Sequence, residues 1–272
     1  MCDAACRRSL HGNVWREDRE NRQKPGDVYI VRPLTPVNGI SALTKLFSAR
    51  KKQKIISNLL KAVLFDFDGT LAELNVDFIR MRRAVLDLMA GYCAPSDGIE
   101  NLYVLEMIEA ARAIISDRQP GKEEEFFSRA HTVISTIETE AAGGGSLLPG
   151  TAEMLDELRR RGIKTAVVTR NCRAAVLRLF PDIDSRCDAV ITREGAPRVK
   201  PHPDHLLTAL DFLNVEPSCA AMVGDHPMDM AAGKDVGAYA VGVLTGHSAA
   251  DPLRRAGADL IIERAPDITR YL

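Results

Sequence analysis

Two aspartates directly follow a short apolar run, and this feature constrains the fold more than any other. Residues 62–65 read Ala-Val-Leu-Phe, and residues 66–70 read Asp-Phe-Asp-Gly-Thr. Continuous apolar runs are typical of strands buried on both faces of a parallel α/β sheet, and ligands bind beyond the carboxyl ends of such strands. Residues i and i+2 of an extended segment share a side. We therefore expect the carboxylates of Asp66 and Asp68 to face one site.

Three further strand-like runs end in side chains that suit a site for phosphate and magnesium. These side chains are Thr169 and Asn171 after the run 163–168, Lys200 after the run 189–191, and Asp225 and Asp229 after the run 220–223. Parallel strands bring their carboxyl ends to one edge of a sheet. The order along the chain therefore predicts one shared site.

Each of these side chains also has an ordinary structural explanation. Asp-Gly is a common turn dipeptide, and Thr169 suits the start of a helix. Asp225 and Asp229 suit the capping of a helix N-terminus. A loop lysine such as Lys200 is usually solvated. The combination favours a site, because four such groups occur in order and each follows a predicted strand.

Taken together, the four groups resemble the four motifs of the haloacid dehalogenase superfamily of phosphohydrolases. The resemblance covers about residues 61–272. It implies a parallel, doubly wound, Rossmann-like α/β sheet with an inserted α-helical cap domain. It also implies a Mg²⁺-dependent phosphatase, and the chain is most similar to the phosphoglycolate phosphatase-like branch.

The chemistry of a phosphate dianion assigns a role to each residue. An attacking carboxylate needs its repulsion screened, and Mg²⁺ prefers oxygen ligands. Asp66 is the expected nucleophile and forms an aspartyl-phosphate, while Asp68 is the expected general acid and base. The expected metal ligands are Asp66, Asp225, Asp229 and the backbone carbonyl of Asp68. The expected phosphate-binding residues are Thr169, Asn171 and Lys200.

The segment between the first two groups has helical periodicity. Apolar residues recur at helical spacing from Phe78 to Leu88, from Leu102 to Ile115 and from Phe127 to Ile137. We predict three or four helices here, then a glycine-rich hinge at residues 143–145 and a helix that Thr151 caps. In the resembled family such an insert is a mobile cap that closes over the substrate.

Arg80, Arg82 and Arg83 crowd the start of this segment. Arginine binds carboxylates and phosphates through its forked donors, so these residues are candidates for recognising an acidic leaving group, such as that of a phosphorylated hydroxy acid. The alternative is a solvated helix face whose arginines pair with neighbouring acidic residues.

The composition is that of an ordinary globular protein, with 46% hydrophobic and 27% charged residues. No apolar run approaches the ~20 residues of a membrane span. The six cysteines show no paired metal-binding spacing, which predicts reduced thiols in a cytoplasmic enzyme. We expect a monomer or homodimer that acts on a small phosphorylated metabolite, with no membrane partner and no nucleic-acid partner.

The first sixty residues differ in charge from the rest. Residues 1–61 carry 13 Lys or Arg against 5 Asp or Glu, whereas the remainder carries 23 against 32. We predict a basic, disordered extension over residues 1–60, a catalytic core over 61–72 and 147–272, and a helical cap over 73–146. The extension also fits a targeting segment or a misassigned start.

Two other functions stay open on the residues alone. A phosphomutase similar to β-phosphoglucomutase has nearly the same motifs, but it holds the aspartyl-phosphate until a second hydroxyl returns. A non-catalytic regulatory module would use the fold for binding only. Asp68 argues against the dehalogenase branch, which has no use for a carboxylate acid and base at that position.

Overall fold

The structure is a computed structural model and describes residues 60–272. Cys2, Cys6 and nearly all of the predicted basic extension lie outside the described residues. The eight strands of residues 60–272 are, in chain order, β1 (Ala62–Phe65), β2 (Ala72–Glu73), β3 (Ser146–Leu147), β4 (Lys164–Val168), β5 (Ala189–Ile191), β6 (Ala220–Gly224), β7 (Tyr239–Val243) and β8 (Leu260–Ile262).

The same region contains nine α-helices and three 3₁₀ turns. The helices are α1 (Phe78–Ala90), α2 (Val104–Arg118), α3 (Glu123–Ala142), α4 (Thr151–Arg160), α5 (Arg173–Leu179), α6 (Ile183–Arg186), α7 (Asp204–Leu213), α8 (Pro227–Val236) and α9 (Ala250–Arg255). The turns span Arg193–Gly195, Pro217–Cys219 and Ala265–Arg270.

Six strands form one parallel sheet in the order β5-β4-β1-β6-β7-β8. Strand β1 lies near the centre and is buried along its whole length. Val63 and Phe65 pack into one apolar layer, whereas Ala62 and Leu64 pack into the layer on the opposite face. This burial on both faces explains why the strand reads as a continuous apolar run, because neither face needs polar side chains.

Helices cover both faces of the sheet. Apolar residues of α4, α5 and α6 pack into the layer that contains Phe65, and those of α7 and α8 pack into the layer that contains Leu64. Burying one such Phe or Leu side chain stabilises the fold by about 1.5–3 kcal/mol. The predicted fold class, a parallel doubly wound sheet, is confirmed.

A helical insert leaves the sheet after β1 and returns before α4. Strands β2 and β3 pair antiparallel at its base, with Ala72 opposite Leu147 and Glu73 opposite Ser146. Helices α1, α2 and α3 lie between them and share their own apolar cluster, in which Met107, Ile108 and Phe126 are fully buried. The predicted helical cap is therefore present and consists of three helices. The residue boundaries proposed for the domains stay a prediction.

Phe78, the first apolar residue of the predicted helical pattern, begins α1, is 51% exposed and lines a cavity. One detail of the helix prediction is wrong. Thr151 was expected to cap α4, but Gly150 is the N-cap residue, with φ of 89°. The buried Thr151 hydroxyl instead donates a hydrogen bond to the carbonyl of Leu71 at 3.0 Å.

None of the helices in residues 60–272 combines the length and the apolar character that crossing a bilayer requires.

Candidate active site

The carboxyl ends of β1, β4 and β6 lie side by side at one edge of the sheet. Phe65 is in register with Val167 on one side and with Val223 on the other. Asp66 therefore emerges between the two neighbouring strand ends. The polar residues after all three strands come together there, as parallel strands require.

Asp66 is held by two donors. Its Oδ1 accepts a hydrogen bond from the N–H of Phe67 at 2.7 Å, and Lys200 Nζ lies 2.9 Å from the same oxygen. The Asp66 side chain is 16% exposed, whereas those of Asp225 and Asp229 are 4% and 1% exposed. Of these three carboxylates, Asp66 is the one most accessible to a ligand.

Lys200 is buried between two carboxylates. Its Nζ lies 2.7 Å from Asp229 Oδ1 as well as 2.9 Å from Asp66 Oδ1, and its side chain is 1% exposed. Burial lowers the pKa of Lys200, but the two carboxylates outweigh burial and raise that pKa above its ordinary value. Lys200 is therefore a fixed positive charge, and the alternative of a solvated loop lysine is wrong.

Asp68 lies on the same side as Asp66, as the i and i+2 spacing predicts. Its Oδ1 accepts a hydrogen bond from the N–H of Leu74 at 3.0 Å. Burial raises the pKa of Asp68 to about 6, and the negative charges of Asp66 and Asp225 add to this effect, while the Leu74 N–H opposes it. A carboxyl group with such a pKa is suited to both donating and accepting a proton.

Three glycines lie so close to the acidic side chains that a Cβ atom at any of them would overlap a carboxylate. A Cβ atom on Gly69 would lie 2.6 Å from Asp225 Oδ2, and one on Gly246 would lie 1.9 Å from it. A Cβ atom on Gly224 would lie 2.2 Å from Asp229 Oδ2. Only glycine fits these three positions while the carboxylates keep their places.

Thr169 and Asn171 interact with each other. The Thr169 hydroxyl donates to Asn171 Oδ1 at 2.8 Å, and the Asn171 N–H donates to the Thr169 hydroxyl oxygen at 3.1 Å. Thr169 is fully buried, whereas Asn171 lines the cavity described below. The N-cap of the following helix is Cys172, so Thr169 does not serve as that cap.

A magnesium ion suits the acidic group on physical grounds. Asp66, Asp225 and Asp229 each offer a carboxylate oxygen, and these oxygens lie within 4.8 Å of one another. The Lys200 ammonium group pairs with Asp66 and Asp229, so the three acids, when ionised, carry more negative charge than this one cation offsets in largely buried surroundings. Uncompensated buried charge is costly, and Mg²⁺ prefers carboxylate oxygens. The donor set therefore fits the predicted ion.

A cavity of about 410 Å³ opens in front of the acidic group. Its polar side contains Asp66, Asp68, Asn171, Lys200, Asp225 and Asp229. Helical-insert residues form the facing wall, which is mainly apolar and includes Phe78, Met81, Val104, Leu105 and Ile134. A molecule bound at the strand ends would therefore also contact the insert.

The three candidate arginines have different environments. Arg82 lines the cavity and donates through Nη1 to the carbonyls of Glu100 and of Leu102, the latter at 2.6 Å. Arg80 is exposed and pairs with Glu140 of α3 at 2.6 Å. Arg83 is exposed and is not part of the cavity wall. Arg82 is thus the one of the three that a ligand in the cavity can reach.

Sequence reasoning did not identify Arg170 as a site residue, although it lies between Thr169 and Asn171. Arg170 lines the cavity and forms a bidentate ion pair with Glu106 of α2. The Nη1–Oε1 and Nη2–Oε2 distances are 2.8 and 2.7 Å. It also donates to the carbonyl of Lys200. The sequence feature that could have identified Arg170 is its position directly after Thr169, at the end of a predicted strand.

A second ion pair joins the insert to the core. Glu138 of α3 pairs with Arg193, whose Nη1 is 2.6 Å from both carboxylate oxygens. These side chains are 7% and 2% exposed. Sequence reasoning did not identify this pair either.

The histidines near the site are mainly engaged in local contacts. His226 Nδ1 accepts from the N–H of Met228 at 3.2 Å, and His202 Nδ1 accepts from the N–H of Asp204 at 3.1 Å. The His247 side chain is 71% exposed, and its backbone N–H donates to Asp225 Oδ2 at 3.0 Å. His226 and His247 both line the cavity.

The chain is similar in sequence to a pyrophosphatase and to a phosphatase, and it shares its fold with a solved structure. It is 30% identical over 217 residues to pyrophosphatase PpaX of Bacillus velezensis, covering 76% of this chain and 94% of that protein. It is 26% identical over 218 residues to N-acetylmuramic acid 6-phosphate phosphatase of Pseudomonas putida, covering 78% and 96%. A solved structure of a predicted phosphoglycolate phosphatase from Haemophilus somnus has the same fold, with a TM-score of 0.55, 21% identity and coverage of 78% and 97%.

The family model of the haloacid dehalogenase-like hydrolases matches residues 60–237. This range includes β1, the helical insert and all of the acidic residues described above. The sheet order, the insert after β1 and the match over most of the chain agree, and the chain belongs to the haloacid dehalogenase-like hydrolase family.

Proposed function

We propose that the protein is a Mg²⁺-dependent phosphatase that hydrolyses a small phosphomonoester, similar to phosphoglycolate, through an aspartyl-phosphate on Asp66. The observation that carries this proposal is the environment of Asp66. Its carboxylate lies at a strand end, contacts a buried ammonium group and faces a cavity. The phosphatases among the relatives support the reaction class.

Asp66 is the proposed nucleophile. The Phe67 N–H and the Lys200 ammonium group both bind Oδ1, so they fix the direction of the carboxylate toward the cavity. Attack on phosphorus forms an O–P bond and breaks the bond to the leaving oxygen. This splits one difficult displacement into two easier ones.

Asp68 is the proposed general acid and base. In the first step its carboxyl group donates a proton to the leaving alkoxide, and in the second step its carboxylate takes a proton from the water that hydrolyses the aspartyl-phosphate. Its Oδ1 accepts a hydrogen bond from the N–H of Leu74, and its side chain lines the cavity, where the leaving group of a bound ester would lie.

Asn171 and Lys200 are proposed to bind the phosphoryl oxygens, and Thr169 supports them. The amide of Asn171 lines the cavity, and the hydroxyl of Thr169 holds that amide in place. Lys200 contributes a positive charge that is fixed by burial between Asp66 and Asp229. Fixed donors of this kind stabilise a developing charge without reorganisation.

Asp66, Asp225 and Asp229, together with the backbone carbonyl of Asp68, are proposed to hold Mg²⁺. The bound ion would screen the repulsion between the Asp66 carboxylate and the phosphate dianion. The Thr70 hydroxyl and the His247 N–H orient Asp225, and the His226 N–H orients Asp229. The backbone around the cluster therefore holds its carboxylates in fixed directions.

Hydrolysis of p-nitrophenyl phosphate is expected in the presence of Mg²⁺ and is expected to stop when EDTA removes the ion. The physical reason is the unscreened charge of the acidic group, which repels a dianion. Steady-state rates with and without Mg²⁺, followed by a screen of phosphorylated metabolites, check this prediction. A full rate in EDTA would contradict the magnesium dependence.

A phosphomutase is the second candidate, and glucose 1-phosphate separates the two reactions. A phosphatase releases inorganic phosphate from it, whereas a mutase converts it to glucose 6-phosphate. Absence of both products, together with failure to hydrolyse any ester in the metabolite screen, would favour the regulatory module.

Replacing Arg82 by alanine is expected to discriminate between substrates. Arg82 is a cation in the cavity wall that contacts two backbone carbonyls, so its charge remains available to an anionic leaving group. We expect kcat/KM for phosphoglycolate to fall by an amount equivalent to about 2–4 kcal/mol of transition-state stabilisation. The value of kcat/KM for p-nitrophenyl phosphate is expected to change little. Arg80→Ala and Arg83→Ala are the matched controls. Equal effects on both esters would show that Arg82 does not recognise the leaving group of the substrate.

A further inference from the structure

Glu138 and Arg193, which form a buried ion pair, contact the backbone of the segment that carries Asn171. Arg193 Nη1 donates to the carbonyl of Arg170 at 3.3 Å, and the Arg193 N–H donates to the carbonyl of Asn171, also at 3.3 Å. Glu138 Oε2 accepts from the N–H of Cys172 at 3.0 Å. Three consecutive residues therefore each form a backbone hydrogen bond with Glu138 or Arg193.

The two charged residues come from different parts of the fold. Arg193 begins a 3₁₀ turn that follows β5 in the core, whereas Glu138 lies in α3 of the helical insert. Ser135, one turn earlier in α3, accepts a hydrogen bond from Arg193 Nη2 at 2.6 Å. The Arg193 guanidinium group thus binds α3 and the core loop at once.

The pair is too deeply buried to be explained as an ordinary surface contact. Side-chain exposure is 7% for Glu138 and 2% for Arg193. Replacing a buried ion pair by apolar residues of similar volume is often neutral or stabilising, so stability alone is weak ground for such a pair. The pair contacts the backbone of the segment 170–172, and Arg170 and Asn171 of this segment line the cavity beside the acidic group.

We infer that Glu138 and Arg193 are positioning residues for phosphate binding, an inference that rests on the proposed function. They act through the backbone of residues 170–172, which sets where the Asn171 side chain points into the cavity. Because Glu138 belongs to the insert, the phosphate-binding segment is complete only while α3 is docked on the core. Docking of the cap and binding of phosphate are thereby coupled.

The test measures the dissociation constant of inorganic phosphate in the presence of Mg²⁺, by calorimetry on the full chain. Glu138→Gln and Arg193→Lys are expected to weaken phosphate binding by about tenfold or more, since a small misplacement of a positioning segment can cost up to about a hundredfold. Glu140→Gln is the matched control, because Glu140 lies on the same helix and pairs with Arg80 at the surface. It is expected to change binding by less than about twofold.

A double variant separates positioning from independent effects. If the pair acts as a unit, Glu138→Gln combined with Arg193→Lys is expected to weaken phosphate binding by little more than the more damaging single variant. If Glu138→Gln does not fold, Arg193→Lys carries the test, because it keeps the positive charge and removes the guanidinium group, whose Nη1 contacts both Glu138 and the carbonyl of Arg170. A melting temperature that falls while phosphate affinity stays at the wild-type value would overturn the inference and leave a merely structural pair.

Failure of the proposed function gives a different pattern. A wild-type chain that binds phosphate with Mg²⁺ but hydrolyses no ester contradicts the phosphatase, and the variants still decide the positioning role. A wild-type chain that does not bind phosphate contradicts both the phosphatase proposal and the positioning role of Glu138 and Arg193. Where esters are hydrolysed, kcat/KM for p-nitrophenyl phosphate is expected to fall in parallel with phosphate affinity in both single variants.

Discussion

Asp66→Asn is expected to lower turnover of p-nitrophenyl phosphate by at least about 10³-fold. The amide keeps the size of the carboxylate and its oxygen can still accept from the Phe67 N–H, so the strand end is preserved. The amide is a poor nucleophile, and it also removes one negative charge from beside Lys200. The steady-state rate and the melting temperature are measured on the same preparation.

Asp251→Asn is the matched control for this experiment. Asp251 is 76% exposed and pairs with Arg254 at the surface, so the same chemical change there is expected to leave turnover within about twofold. If Asp66→Asn retains more than about a tenth of the wild-type rate, the aspartyl-phosphate mechanism is wrong.

Asp68→Asn is expected to have an effect that depends on the leaving group. With phosphoglycolate the leaving alkoxide needs a proton, so we expect a loss of about 10²–10⁴-fold in turnover. With p-nitrophenyl phosphate the phenolate leaves unprotonated, so only the second step lacks its base. Rapid mixing is therefore expected to show a fast burst of nitrophenolate, about one per enzyme molecule, before a slow steady rate.

The burst is the decisive measurement for Asp68. If the variant shows no burst and both esters lose turnover equally, then Asp68 does not act as the acid of the first step. Asp251→Asn again serves as the control, since its exposed carboxylate lies outside the cavity.

The strands and the acidic residues at their ends were predictable because these signals are local. The runs 62–65 and 189–191 appear as strands with the expected bounds, the strand within the run 163–168 begins one residue later, and the run 220–223 extends by one residue. A strand buried on both faces must be apolar along its length, so its end is visible wherever a charged residue follows. Once the strands are parallel, the meeting of Asp66 and Asp225 follows from topology alone.

Contacts between distant residues could not be predicted in the same way. Glu106 precedes Arg170 by 64 residues and Glu138 precedes Arg193 by 55, and nothing in their local sequence pairs them. The burial of Lys200 likewise depends on Asp229, which lies 29 residues later. Thr151 was expected to cap α4, but its hydroxyl donates a hydrogen bond to the carbonyl of residue 71 instead. These outcomes depend on how the insert and core pack together.

The glycines around the acidic group have a consequence for interpreting natural variants of this protein. Gly246 belongs to none of the residue groups that predicted the site, yet a methyl group there would overlap Asp225 Oδ2, which lies 1.9 Å from the position of its Cβ atom. Exchange of Gly246 for alanine would therefore displace a carboxylate without altering any ionisable residue. A genetic screen that scores only changes to charged residues would classify such an allele as neutral. The set of positions where mutation is expected to impair this site is therefore larger than the set of ionisable residues. It also includes the glycines at positions 69, 224 and 246.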